Sequence, residues 1–222
     1  YWRDIVDMIR EFFLGIAALA GRKDTGVAPP PARRMVMLII IATVPLFVMV
    51  FLQDAVNQLF SNSIMVSCAL LATGFILFFS DRMARGHKTA KNATVADALI
   101  VGCGQALAVI PGLSRSGTTI SVGMMRGFDR AFAVRFSFLM SLPAVLGANV
   151  LEIKDALASN FPIEELPMYL VGVAVSAVVG YFAIRLVKSL SDKGKFGKFA
   201  YYCWAVGRGS LVAGIVKMML LK

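Results

Sequence analysis

Apolar residues along this chain fall into long runs separated by short charged segments. Those at 35–52, 64–80, 132–151 and 168–187 approach the ~20 residues a helix needs to cross a bilayer. A fifth run, 199–221, is long enough but is interrupted by Gly207, Arg208 and Gly209. Residues 3–20 follow another rhythm. Trp2, Ile5, Ile9, Phe12, Phe13 and Ile16 recur at helical spacing opposite Arg3, Asp4, Asp7, Arg10 and Glu11. That pattern predicts an amphipathic helix lying in the membrane interface, followed by a polar linker through Pro29, Pro30 and Pro31.

Charge orients these spans, because cytoplasmic loops are enriched in Lys and Arg. Loop 81–96 carries Arg82, Arg85, Lys88 and Lys91, and loop 188–199 carries Lys188, Lys193, Lys195 and Lys198. Both are expected inside, with the stretch ending at Arg33 and Arg34. Loop 53–63 has Asp54 and no base, and loop 152–166 sets Glu152, Asp155, Glu164 and Glu165 against Lys154, so both are expected outside. Run 132–151 ends at an outer loop and starts beside Arg126 and Arg130, hence inside. Residues 97–125 must then leave the inner face and return to it. Neither half, before Pro111 or after Thr119, is long enough to span, so the pair reads as a re-entrant helix–loop–helix. Asp97, just after Thr94, reads as a charge at a helix N-terminus.

Composition agrees with a membrane class. The chain has 222 residues, 58% of them hydrophobic against about 45–50% for soluble domains, and its mean hydropathy is +0.75. The expected architecture is an all-α polytopic helix bundle forming one membrane domain over 1–222. The net charge of +10 is accounted for by basic loops facing anionic lipid, so no nucleic-acid partner is expected. The 12 methionines and 16 phenylalanines read as packing and lipid contacts. Cys68, Cys103 and Cys203 read as buried small hydrophobes, and an odd number gives no disulfide framework. The single histidine, His87, sits among loop cations. Arg208 reads as interfacial or helix-packing, and no Cys/His cluster suggests a metal.

The chemistry concentrates in Pro111-Gly112-Leu113-Ser114-Arg115-Ser116-Gly117-Thr118-Thr119, a polar loop between two nearly uncharged stretches. Irregular backbone at membrane depth is tolerated only in a protein-lined or wet cavity. An arginine there costs ~2.5–3.5 kcal/mol even on lenient scales, so it marks a functional cavity. Its planar fork of donors suits phosphate, and hydroxyls with glycine N–H groups complete an oxyanion cradle. Gln105, in the first half-helix, either lines that cavity or bonds a neighbouring helix.

This block, from Gln105 through Thr119, together with Arg135-Phe-Ser-Phe-Leu-Met-Ser-Leu-Pro143, closely resembles the bacterial undecaprenyl-diphosphate phosphatase (bacitracin-resistance protein) family, and the resemblance runs over essentially the whole chain. It implies hydrolysis of a C55 isoprenyl diphosphate to the monophosphate lipid carrier of cell-wall synthesis, in the bacterial inner membrane. It also implies an inverted-repeat fold in which two re-entrant hairpin tips form one site. On that basis residues 35–82 are the rest of a first repeat and 94–222 a second. Arg115 and Ser114 would be catalytic, and Gly112, Ser116, Gly117, Thr118, Thr119 and Gln105 would bind substrate.

The family also carries an N-terminal motif of paired acidic residues followed by Ser-Ser-Thr-Gly-His, supplying nucleophile, acid–base histidine and carboxylates linked to a divalent metal (Mg or Ca). Nothing in residues 1–34 matches it, and His87 is no substitute. The other half of the site, metal ligands included, is therefore expected upstream of Tyr1, and this chain alone is expected to lack hydrolysis. The second reading is a lipid-phosphate transporter or flippase that binds without cleaving. The expected partners are the isoprenyl diphosphate lipid and membrane lipids, with a homodimer left open.

Overall fold

The computed structural model describes residues 2–21, 30–60, 62–158 and 165–220. Its helices are α1 (Trp2–Gly21), α2 (Pro31–Phe51), α3 (Gln53–Phe60), α4 (Ser63–Met83), α5 (Val95–Leu107), α6 (Arg115–Met125), α7 (Arg130–Ala158), α8 (Leu166–Asp192) and α9 (Phe199–Leu220). No β-strand occurs among the described residues. Five segments are long and apolar enough to cross a membrane: Pro31–Met49, Ser63–Met83, Arg130–Lys154, Leu166–Asp192 and Phe196–Leu220. The fold is the expected all-α polytopic bundle, a multi-pass membrane protein.

Several boundaries differ from the sequence expectation. Most of the 53–63 loop is the helix α3, and α7 continues through the acidic residues to Ala158. The Gly207-Arg208-Gly209 interruption is absent, since α9 runs unbroken across it. In a bilayer every backbone N–H and C=O must be bonded internally, which outweighs the ~1 kcal/mol helix penalty of a glycine. Gly207 is there for packing: a Cβ at that position would lie 2.9 Å from the Leu71 side chain of α4. Cys203 is buried, but Cys68 and Cys103 are exposed on outward helix faces, where lipid rather than protein would cover them. Arg208 is exposed too, and His87 is the expected exposed loop residue. The linker at 22–29 and residues 159–164 of the 152–166 loop lie outside the described residues.

Small residues set the helix spacing, as expected where packing rather than the hydrophobic effect joins helices. Antiparallel α4 and α9 meet at Gly74, whose missing Cβ would sit 2.4 Å from the Trp204 indole nitrogen, and Ser67 Oγ donates to Ser210 Oγ at 2.8 Å. Gly102 of α5 lies against α2, where a Cβ would be 2.2 Å from the Ala42 carbonyl oxygen. Pro31 opens α2 at a position needing no N–H donor. The amphipathic α1 packs Ile5 and Met8 on the core and leaves Trp2, Ile9, Phe13 and Ile16 exposed. Ion pairs Glu11–Arg33 and Asp4–Arg135 tie it to α2 and α7.

The segments assigned to the inner face meet at one end of the bundle. An Arg34 N–H donates to the Ala93 carbonyl at 2.9 Å, and Arg130 donates to the Asp81 carboxylate and to its backbone oxygen. Lys88 N–H donates to Gly127 O, and Asp129 N–H to Lys88 O, both at 2.9 Å. Gly197, between α8 and α9, adjoins the Asp81 side chain. At the centre is Asp97, fully buried at the start of α5. It completes a capping box with Thr94 and pairs with Lys88 at 2.8 Å and Arg126 at 2.9 Å. Arg126 caps the end of α6, so this pair joins the two feet of the α5–α6 hairpin.

Burial acts to raise the Asp97 pKa, but hydrogen bonds from Lys88, Thr94 and Arg126 outweigh it and hold the carboxyl at about 2. A depressed pKa stabilises the fold above the ordinary aspartate value of about 3.9, and that contribution is lost as pH falls towards the folded value. Both cations are partly exposed, at 34% and 41% of their side chains. The expected loss in Asp97→Asn is therefore about 2 kcal/mol, below the ~3–5 of a fully buried pair. Denaturant unfolding in detergent at pH 7 checks the magnitude. The gap between wild type and variant should narrow below about pH 4. Cysteines placed at Lys91 and Arg130 are expected to label from the same side of the membrane. Labelling from opposite sides would overturn the hairpin topology.

Candidate active site at the hairpin tip

Helices α5 and α6 have 13 and 11 residues, about 20 and 17 Å at 1.5 Å per residue, short of a ~30 Å hydrocarbon core. They run antiparallel, with Gly104 facing Val122 and Thr118, and the loop 108–114 forms their tip. Gly112 turns the chain with φ +95°, and a Cβ there would sit 2.3 Å from the Val66 carbonyl oxygen of α4. Only glycine meets both demands without strain.

Thr73, fully buried in α4, pins this loop. Its Oγ1 donates to Gly112 O at 3.2 Å and accepts from Ser114 N–H at 3.2 Å. Ser80 of α4 likewise donates to Ser121 of α6 at 2.8 Å. Neither threonine nor serine stood out in the sequence; the available signal was a hydroxyl inside an otherwise apolar span.

The expected site residues divide by what their polar atoms do. Ser114 is the N-cap of α6, its Oγ accepting from Gly117 N–H at 3.2 Å, while its carbonyl accepts from Thr118 N–H at 2.8 Å. A Cβ on Gly117 would meet Ser114 Oγ at 2.8 Å, so the glycine protects the cap. The Thr119 hydroxyl is engaged inside the bundle, bonding Arg115 O at 2.9 Å and Ser137 Oγ of α7. It braces α6 against α7 as part of the site's frame.

Arg115 stands at the opening of α6, exposed, and pairs with no carboxylate among the described residues. Its own N–H and that of Ser116 are left without a protein acceptor once Ser114 has taken the next two. A cation at a helix N-terminus opposes the macrodipole, which costs about 0.3–1 kcal/mol. An anion there is favoured by the dipole, the free N–H groups and the guanidinium together. The tip is built for a negatively charged group. Two further polar groups are buried without partners: both amide atoms of Gln105, and Thr118 Oγ1. They sit on the two helices of the same hairpin, and each requires a water or ligand atom to offset desolvation.

Among the described residues no group of three or more His, Cys, Asp or Glu could hold a metal ion. The tip itself, 108–119, contains neither carboxylate nor imidazole. A divalent cation does not fit these side chains.

The fold is that of a multi-pass helical membrane protein with a polar hairpin tip between two short apolar helices. The particular family follows from comparison. The family described as "Bacitracin resistance protein BacA" matches residues 1–209, and the chain belongs to it. An undecaprenyl-diphosphatase of Methanosphaera stadtmanae is 36% identical over 220 residues, covering 97% of this chain and 79% of its own length. The undecaprenyl-diphosphatase of Methanobrevibacter smithii is 40% identical over 207 residues, 92% of this chain and 74% of its own. That of Methanothermobacter thermautotrophicus is 41% identical over 183 residues, 81% of this chain and its own full length.

The unpartnered Gln105 amide separates a structural from a functional role. If its burial serves packing, Gln105→Leu should cost stability. We expect the reverse: unfolding stability unchanged or raised by about 1 kcal/mol, since an unpaired amide is removed. Affinity for a lipid diphosphate should fall by about tenfold, the worth of one hydrogen bond to a charged group. Thermal unfolding and lipid titration on the same preparation check both halves.

Proposed function

We propose that this chain carries a phosphate-binding site of an integral-membrane phosphatase that hydrolyses undecaprenyl diphosphate in the plasma membrane. The bond between the bridging oxygen and the terminal phosphorus breaks, a water oxygen bonds to that phosphorus to give inorganic phosphate, and undecaprenyl phosphate leaves for use as a cell-wall lipid carrier. The observation that carries this reading is the unpaired Arg115 at the free N-terminus of α6, inside a hairpin of apolar helices. The names of the similar proteins supply the substrate and the direction of the chemistry.

In this reading Arg115 holds two oxygens of the diphosphate at once, and the Arg115 and Ser116 N–H groups take a third. As the terminal phosphoryl group separates, its charge spreads over oxygens already facing preorganised donors. The Ser116 hydroxyl sits one residue further into α6, with Gly112 keeping the approach open. Gln105 and Thr118 supply the two remaining buried polar groups. Ser114, Thr119, Thr73 and Ser137 hold the frame. Hydrolysis also needs an activated nucleophile and a proton donor, and the side chains of the tip offer one cation, Arg115, and hydroxyls.

Binding without cleavage, as in a transporter, uses the same cradle, and no observation favours it over hydrolysis. Arg115→Lys distinguishes a positioning charge from a two-point donor, since lysine keeps the charge and loses the planar fork. It is expected to lower the rate of phosphate release at saturating substrate by about 10²–10³-fold with expression unchanged. Near wild-type turnover would remove Arg115 from the reacting centre. Lipid translocation in vesicles without phosphate release would favour the transporter.

A further inference from the structure

We propose that Thr73 of α4 is a positioning residue for the reaction, which orients the anion-binding donors of the hairpin tip without touching the ligand. This inference rests on the phosphate reading of Arg115. Among the described residues, the loop 108–114 is hydrogen-bonded to one element outside its own hairpin, and both bonds meet a single atom, Thr73 Oγ1. Its other bonds stay within the hairpin, as from Leu113 N–H to Ile110 O at 3.1 Å and from Gly117 N–H to Ser114 Oγ at 3.2 Å. Gly112 also lies against Val66 and Ala69 of α4. Contacts of that kind fix a distance but leave the direction of a peptide group open.

Direction is what an anion reads. Gly112 has φ +95°, a region glycine enters without steric cost, so the peptide it joins can turn over freely unless something holds it. Thr73 holds both ends of the turn. Its one hydroxyl hydrogen is shared between Ala69 O at 3.1 Å and Gly112 O at 3.2 Å, and its lone pair accepts from Ser114 N–H at 3.2 Å. The Gly112 carbonyl is thereby turned towards α4. Released, it would add a negative dipole beside Arg115, where the ligand carries its charge. Ser114 is the N-cap of α6, so the second bond fixes the residue from which Arg115 and Ser116 extend. The free N–H groups of those two residues thus take their direction from an oxygen 41 residues away in the chain. Thr73 itself has 0% exposure and every polar capacity engaged, which leaves it nothing to offer a ligand directly.

Ser80 supplies the comparison. It lies two turns further along α4, about 10 Å at 1.5 Å per residue. It is equally buried and donates to Ser121 of α6 at 2.8 Å. A hydroxyl that merely braces α4 against α6 would behave as Ser80 does.

Titration with an isoprenyl methylenediphosphonate, whose bridging carbon resists cleavage, tests the proposal together with amide hydrogen exchange over residues 112–117. Thr73→Val keeps the β-branched shape and removes the hydroxyl. Affinity should fall about tenfold and exchange at Leu113 to Ser116 should quicken. Thr73→Ser returns the hydroxyl and should restore both. Ser80→Ala should alter thermal stability and neither of these readouts. Thr73→Ala is a second hydroxyl-free variant for the case in which the valine does not fold. Wild-type affinity and exchange in the hydroxyl-free variants, an equal loss in Ser80→Ala, or no recovery in Thr73→Ser would overturn the assignment. Should Arg115→Lys bind as the wild type does, the phosphate reading fails instead. Exchange at the tip, measured without ligand, then still decides whether Thr73 holds it.

Discussion

The buried carboxylate of Asp97 is the constraint on which the hairpin depends. Two half-helices of 13 and 11 residues cannot anchor themselves at both faces of a bilayer, so their geometry must be fixed at the end they share. Asp97 does this by meeting its own capping residue, the Lys88 ammonium from the preceding loop and the Arg126 guanidinium from the end of the hairpin. A carboxylate without exposure is costly unless every lone pair is used. Here four N–H donors from three residues converge on it: the Lys88 ammonium, the Thr94 backbone and two nitrogens of the Arg126 guanidinium. The clamp also sets where the polar tip lies relative to the feet, because the tip's position then follows from two helices of defined length.

At the other end of the hairpin the polar groups are balanced in the opposite sense. Arg115 has no carboxylate partner, the first N–H groups of α6 have no acceptor, and Gln105 has no partner for either amide atom. Such groups are completed either by water or by a ligand. The surrounding structure withholds compensation on purpose, in that the hydroxyls able to approach are already committed. Ser114 caps the helix, Thr73 ties down the loop, and Thr119 is bonded to Ser137. What remains free is the Arg115 guanidinium with the first N–H groups of α6, the Gln105 amide and the Thr118 hydroxyl, a set in which donors outnumber acceptors.

The bundle is unevenly packed around this site. Helices α4 and α9, and α2 and α5, approach closely at glycines, with backbone almost against backbone or indole. Helix α8 instead has no buried residue across its apolar window and leaves an amphiphilic cleft beside α7. Rigidity is concentrated where the hairpin must be held, and lipid-accessible surface lies where it need not be.

Much of this was legible in the chain. Five apolar runs, the basic and acidic loops and the short halves around Pro111 yielded the spans, their order and the hairpin, because bilayer thickness and charge placement act on local stretches of sequence. The Pro111–Thr119 motif stood out as a polar, glycine-punctuated loop by residue type alone, and it forms the turn between α5 and α6 with the opening of α6. The roles inside that cradle were not legible. That Ser114 caps, that Thr119 turns to α7, and that Thr73 holds the loop from 41 residues away depend on which helices become neighbours. The unbroken course of α9 was also hidden, since Gly207 reads as an interruption until Leu71 of α4 is seen to need the space. Asp97 read as a helix-end charge, which it is. Its junction with Arg126 exists only because the chain returns. Sequence fixes what must be buried or solvated, through energies that are local. Partnership between side chains far apart in the chain is decided by packing, and packing exists only in the assembled bundle.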